Sequence, residues 1–239
     1  MIELLAIVPA RTGSKGVPGK NKAEIAGRPL VDYTVGALEA SRSVGGIAIT
    51  TDDPDILGMY QGREGLFVIN RPAELATDEA TTSSVVEHAL HSWTEAGHAA
   101  PTNLLLAQPT TPLRTAAHID AAYQLFLRSG TESLISACQA EGMRHPKDMY
   151  RIRPDGLGEL FIPDKEDRST RHSYERLYQR NGAIYIVSLD YFMREKRLRN
   201  LNPVIFEMPW ERSINIDTRG DFLIAKALIE SGILDREQR

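Results

Sequence analysis

The sequence predicts an α/β fold whose core is a mostly parallel sheet, and three observations carry that prediction. Short apolar runs of β character alternate with helical patterns from Leu4 to Ala137, as repeated βα units require. The first of these runs empties into a loop rich in glycine and lysine, and an α/β sheet takes its ligand outside the carboxyl ends of its strands. With 239 residues, 42% of them hydrophobic and 25% charged, the chain suits a single domain over residues 1–239 with a substantial core.

The elements follow in order. Leu4–Val8 is a continuous apolar run, the pattern of a strand covered on both faces. Further strands are expected at Gly46–Thr51, Leu66–Asn70, Asn103–Ala107 and Ser133–Ala137, with helices at Val31–Ala40, Asp53–Gln61, Thr82–Glu95 and Ala116–Arg128 between them. Asp52 and Asp53 suit the cap of the second helix or a contact with a nucleotide, and Thr81 or Thr82 suits the cap of the third, because a short oxygen side chain accepts an orphan N–H of a first turn. Alternation stops at about 139. Residues 139–180 are polar and punctuated by His145-Pro146, Arg153-Pro154-Asp155-Gly156 and Ile162-Pro163-Asp164, which reads as an insertion of short strands and loops. Strands resume at Ala183–Val187, Val204–Met208 and Ser213–Ile216, and a helix near Gly220–Glu230 closes the pattern.

Composition removes several functions. A net charge of −4 does not favour a general nucleic-acid or anionic-membrane surface. No apolar run approaches the roughly 20 residues of a membrane span, and the N-terminus lacks a signal-peptide pattern, so a cytoplasmic location is expected. Cys138 is alone, which excludes an internal disulfide and a cysteine zinc cluster. No G-x-S-x-G elbow supports serine hydrolase chemistry. Glu87, His88 and His91 miss the H-E-x-x-H spacing and read as a solvated helix face, and Arg194, Lys196, Arg197 and Arg199 read as a solvated helix end.

The loop after the first strand, Ala10 to Lys22, holds three glycines, three lysines and one arginine. Glycine lets backbone N–H groups approach an anion and the cations neutralise it, so the loop reads as a triphosphate site. It is not a Walker loop, since Ser14 stands five before Gly19 and Asn21 follows Lys20. Nor is it a dinucleotide fingerprint, because Gly13 and Gly16 lack the intervening glycine.

The pattern A-R-x-G-S-K-G-x-P-x-K-N over Ala10–Asn21 resembles the opening of the acylneuraminate cytidylyltransferases, the family that includes CMP-sialic acid and CMP-legionaminic acid synthetases. Arg71-Pro72-Ala73-Glu74-Leu75-Ala76, Gln108-Pro109-Thr110-Thr111-Pro112-Leu113-Arg114, Arg180-Asn181-Gly182-Ala183-Ile184-Tyr185 and Ser213-Ile214-Asn215-Ile216-Asp217-Thr218 agree with it in kind and order. The resemblance implies a three-layer Rossmann-like nucleotidyltransferase fold, a homodimer formed through the 139–180 insertion, and a metal-dependent reaction of CTP with a nine-carbon 2-keto sugar acid. A CMP-sugar and pyrophosphate would result.

Nucleotidyl transfer asks the protein to align groups and neutralise charge. By resemblance Arg11 and Lys20 take the triphosphate, with Gly13, Ser14 and Lys15 around it, and Asn21 belongs to the nucleotide site unless it is only a turn residue. Mg2+ or Mn2+ is expected at Asp217 and Asn215. Many relatives carry aspartate at both positions, so Asn215 either offers a neutral carbonyl oxygen or merely ends a strand. By resemblance Gln108 contacts the acceptor sugar and Thr110 and Arg114 lie near it, unless Arg114 is structural and pairs with a carboxylate at the next helix start. The acceptor's carboxylate and hydroxyls call for a cation and polar partners, and Lys147, Arg171, Asn181 and Tyr185 match family positions of that kind; Tyr185 reads equally as a core aromatic. No residue declares itself the general base.

Alternatives remain within and beyond this class. Kdo-activating relatives carry Q-G-D-E-P where this chain has Gln108-Pro109-Thr110-Thr111-Pro112, and pseudaminate enzymes tend to carry arginine where it has Gly16. Another sugar nucleotidyltransferase is the second reading. A catalytically inactive nucleotide-binding relative, favoured by Asn215 alone, is the third.

Overall fold

A computed structural model describes residues 2–13, 16–163 and 174–233. In chain order its elements are β1 (Ile2–Pro9), the small hairpin β2 (Glu24–Ile25) and β3 (Arg28–Pro29), α1 (Leu30–Glu39), β4 (Gly46–Thr51), α2 (Pro54–Tyr60), β5 (Leu66–Asn70), α3 (Thr82–Glu95) and β6 (Pro101–Leu106). They continue with α4 (Ala116–Ser129), β7 (Ser133–Gln139), the hairpin β8 (Tyr150–Ile152) and β9 (Gly158–Leu160), β10 (Tyr178–Ser188), α5 (Leu189–Glu195), β11 (Val204–Glu207) and α6 (Arg219–Glu230).

Seven strands form the main sheet in the order β11-β7-β10-β6-β1-β4-β5. All neighbours are parallel except β10, which runs antiparallel to β6 and β7. Strand β1 lies inside the sheet between β6 and β4, and its apolar residues alternate between two cores. Leu4, Ala6 and Val8 pack with α1, α2 and α4, through Val35, Tyr60 and Phe126 among others. Leu5 and Ile7 pack on the opposite face with Val86, Ala89 and Trp93 of α3 and Phe192 of α5. A period of two thus divides one strand between two helical layers, and each fully buried Leu or Ile contributes roughly 1.5–3 kcal/mol. A third cluster, with Ile25, Leu113, Ile214, Ile216 and Ala225, seats α6 against the loops above the sheet.

Two expectations need correction. Ser213–Ile216 is not a strand: it lies against the 108–114 turn and α6 instead of a strand edge, and Ile216 N–H donates to the Thr110 carbonyl at 2.8 Å. The main sheet also claims part of the insertion, since Tyr178–Arg180 pair with Gln139–Ala137 of β7 before a bulge, at which Gly182 adopts φ 79°. Of the two residues expected at the cap of α3, it is Thr81 that accepts the Ser84 N–H, at 3.1 Å.

Candidate active site

The chain leaves β1 for β4 on one side and later returns to β6 on the other, so the loops after β1 and β6 diverge and open a cleft at the carboxyl edge. The first wall is the loop after β1. Asp52 accepts the Thr12 N–H at 2.9 Å and its hydroxyl as well; these bonds outweigh burial and hold the Asp52 carboxyl below its ordinary range. Asn21 donates to the Arg11 carbonyl at 2.9 Å, so it braces the loop. Gly19, at φ 62°, turns the chain into the 3-10 turn Lys20–Lys22. Asp53 caps α2 by accepting the Asp55 N–H at 3.0 Å, so the two aspartates divide between loop and helix.

The second wall is the C-terminal segment. The buried Lys20 ammonium donates to the Ile216 carbonyl at 2.6 Å and lies 3.7 Å from the Asp217 carboxylate. Gly16 passes so close to the Asp217 carbonyl that a Cβ there would collide with it. Asn215 donates to Asp217 at 2.6 Å, while its own amide oxygen is buried without a hydrogen-bond partner. That leaves one unused oxygen beside an exposed carboxylate.

Together these walls enclose a cleft of about 470 Å3, lined by Arg11, Gly16, Lys20, Asn21, Gln108, Thr110 and Asp217. Arg11 is held at its mouth by Asp78 at 2.6 Å and the Ala76 carbonyl at 3.2 Å. Arg71 lines the same cleft, although the sequence places it only in a family motif and gives it no site role. It is buried behind Thr50, donating to its carbonyl at 2.7 Å and its hydroxyl at 3.2 Å, and burial pushes its guanidinium down to about 10. The signal was present: Arg71-Pro72 opens the loop after β5, where a carboxyl-edge site collects residues. Gly13 has open space around it, and Ser14 and Lys15 lie outside the described residues.

A second cleft, of about 540 Å3, adjoins the first, and Gln108 and Thr82 line both. Tyr185, Asn181, Gly182 and Asn215 line it, as do Arg180, Arg197 and Arg199. Burial raises the Tyr185 phenol, and the nearby Arg180 and Arg199 charges oppose that shift. The basic cluster therefore divides. Arg194 pairs with Glu132 and Lys196 with Glu87, both at 2.7 Å on the surface, while Arg197 and Arg199 turn to the cleft.

Other expected ligand residues are engaged elsewhere. The Asn181 amide oxygen accepts the Ser136 hydroxyl at 2.6 Å and the Ala183 N–H at 3.1 Å, and its nitrogen donates to the Ser213 hydroxyl at 2.8 Å and the Met208 sulfur at 3.5 Å. All four bonds are used, so Asn181 builds the wall. Arg114 meets no carboxylate among the described residues. It is fully buried and donates to the carbonyls of Ala183 at 2.9 Å, Thr111 at 2.9 Å and Gln108, which fixes the turn that presents Gln108; burial pushes it down to about 9. The Lys147 ammonium lies over the Tyr174 ring at 5.0 Å and lines neither cleft, because its 3-10 turn belongs to the insertion. Arg171 lies outside the described residues.

No group of three or more His, Cys, Asp or Glu residues is placed to hold a metal among the described residues. Asp217 with the free Asn215 oxygen instead offers the sparse oxygen set that suits a cation shared with nucleotide phosphates and water.

The family model described as cytidylyltransferase matches residues 5–206. The N-acylneuraminate cytidylyltransferase of Streptococcus agalactiae is 28% identical over 98% of this chain and 56% of its own length. That of Escherichia coli is 31% identical over 93% of this chain and 51% of its own. The CMP-N,N'-diacetyllegionaminic acid synthase of Legionella pneumophila is 28% identical over 96% of this chain and 97% of its own. The chain thus spans about half the length of the N-acylneuraminate cytidylyltransferases that it matches. A solved structure of CMP:2-keto-3-deoxy-manno-octonic acid synthetase complexed with CTP superposes with a TM-score of 0.69 at 16% identity, covering 97% of this chain and 100% of that one, which shows the shared fold. This chain belongs to the cytidylyltransferase family.

Proposed function

We propose that this chain joins CTP to a nine-carbon 2-keto sugar acid of the N-acylneuraminate or legionaminate kind, releasing pyrophosphate. The observation that carries this reading is the pair of adjoining clefts that share Gln108, with Lys20 and the Asn215–Asp217 pair at their junction. One cleft is cationic and glycine-bordered, as a triphosphate requires; the other is wide, polar and bordered by arginines, as a hydroxylated sugar acid requires. We place the reaction in the cytoplasm and the working enzyme as a homodimer formed through the 139–180 insertion.

In this mechanism Arg11 grips phosphate oxygens as a fork and releases Asp78 to do so, while Lys20 supplies a point charge beside Asp217. Arg71 forms the cleft's buried cationic floor. Gln108, fixed by Arg114, orients the acceptor across the junction. The acceptor's anomeric oxygen bonds to the α-phosphorus, the bond from that phosphorus to the bridging oxygen breaks, pyrophosphate leaves, and the hydroxyl proton passes to solvent. Asp217 and Asn215 would hold a divalent cation, which when bound supplies charge neutralisation on phosphate oxygens.

The test measures pyrophosphate release with CTP and Mg2+ while N-acetylneuraminic, legionaminic, pseudaminic and Kdo acids are supplied in parallel. Release with one of the first two and CTP, but not UTP or ATP, is expected. Silence with all four acids would overturn the reading. Mn2+ binding followed by electron paramagnetic resonance should weaken in Asp217→Ala, and an unchanged signal would remove the metal assignment.

A further inference from the structure

The wide cleft is cationic in a way the proposed reaction does not yet use. No described residue lining it is acidic, yet Arg180, Arg197 and Arg199 all border it and none is in an ion pair with a described residue. Uncompensated guanidinium groups on one wall of a cleft repel each other, and an anionic ligand relieves that repulsion. The triphosphate does not account for them, because Arg11, Lys20 and Arg71 line the other cleft.

The chemistry of a cyclic 2-keto acid narrows the choice among the three. Its carboxylate sits on the same carbon as the anomeric hydroxyl, so the group that binds the carboxylate must stand beside the point of phosphoryl transfer. Arg180 meets that requirement. It lines the wide cleft together with Asn215, and it also lines a smaller cavity of about 300 Å3 that contains both Asn215 and Asp217. Its guanidinium carbon lies 5.9 Å from the Tyr185 ring centre, and the bulge at Gly182 sets where this part of β10 stands relative to Gln108 and Asn215. Arg197 lines only the wide cleft. Lys147 stacks on Tyr174 and lines neither.

We propose that Arg180 is the residue that binds the acceptor's carboxylate, with Arg199 adding a second positive charge beside Tyr185. The assignment rests on the acceptor reading given above. An arginine suits the role, since its planar fork matches a carboxylate with two parallel hydrogen bonds and adds orientation to charge. Orientation matters here because fixing the carboxylate also fixes the attached hydroxyl relative to the α-phosphorus.

The experiment compares N-acetylneuraminic or legionaminic acid, whichever the wild type prefers, with its methyl ester in wild type, Arg180→Ala, Arg180→Lys and Arg197→Ala. Turnover and direct acceptor binding by calorimetry, in the presence of CTP, are both read. Arg180→Ala should lower kcat/KM and affinity for the acid roughly 10- to 100-fold, the scale of a lost charge-assisted hydrogen bond, and leave the ester and the KM for CTP little changed. Arg180→Lys should recover part of the preference for the acid, and Arg197→Ala should preserve it. Arg180→Ala retaining the wild-type ratio of acid to ester, or Arg197→Ala abolishing that ratio equally, would overturn the assignment. Wild type that binds the acid without turnover sinks the activity reading alone, and the binding ratios then decide Arg180. Wild type that binds neither acid overturns both.

Discussion

At residue scale the site depends on two backbone stretches lying unusually close. Gly16 packs against the Asp217 carbonyl, and the same contact region brings Lys20 to Ile216 and Asp217. Glycine is required there for space. Gly16→Ala would force the loop or the 213–218 segment to move by about the width of a methyl group, separating cations from the carboxylate and breaking alignment that catalysis needs to within an ångström. The expected outcome is a turnover loss of roughly 100-fold. The melting temperature should change little, because both stretches lie above the sheet. Gly13→Ala is the control, since nothing lies within 4 Å of its would-be Cβ. Equal activity of the two variants would remove the close approach from the mechanism. Sequence motifs identified Arg11, Lys20, Gln108 and Asp217, and these do share a cleft. They could not reveal that Asn181 spends its amide on Ser136 and Ser213, or that Arg114 reaches the Ala183 carbonyl, because those partners lie about 30 to 70 residues away.

At element scale α4 carries a pH-sensitive cap. Thr115 accepts the His118 N–H at 3.3 Å, and the His118 ring nitrogen accepts the Thr115 N–H at 3.2 Å. Burial, then the charges of Arg212 and Arg114, push the imidazole down to about 4, and a protonated ring could not accept that bond. Above about pH 6.5 the ring is neutral in folded and unfolded chains, and the full contribution is present. As pH falls from 6.5 toward 4 the unfolded chain binds a proton that the folded one resists, so stability drops, by about 1 kcal/mol at pH 5 after allowing for partial exposure. His118→Gln keeps an acceptor at the cap without titrating, so its melting temperature should fall less between pH 7 and 5 than wild type's. Parallel curves would refute the role. The helix itself was legible from its apolar spacing, and this cap was not, since histidine is an uncommon third residue of a capping box. Ser213–Ile216 failed for a related reason: alternating Ile214 and Ile216 give strand periodicity, but a strand also needs an edge to pair with, and this segment has a turn and α6 instead.

At the scale of the whole molecule the order of βα units was readable, because parallel strands buried on both faces announce themselves as apolar runs. The insertion was readable only as a break in that rhythm. Among the described residues β8 and β9 pair only with each other, apart from the main sheet, and an isolated two-stranded hairpin is marginal in water. Its surroundings are also conspicuously apolar for solvent: Met143 is 84% exposed, Ile152 80% and Phe161 57%. A second copy of the chain covering this face would account for both observations, and it is the arrangement proposed above. Light scattering should therefore give twice the chain mass for wild type. The double variant Ile152→Asp, Phe161→Asp should give the chain mass with the helical circular dichroism retained, because neither side chain belongs to the cores that hold the sheet. A monomeric wild type would refute the dimer outright. A dimeric double variant would move the interface elsewhere, leaving the hairpin's exposed apolar residues without the partner that their burial requires.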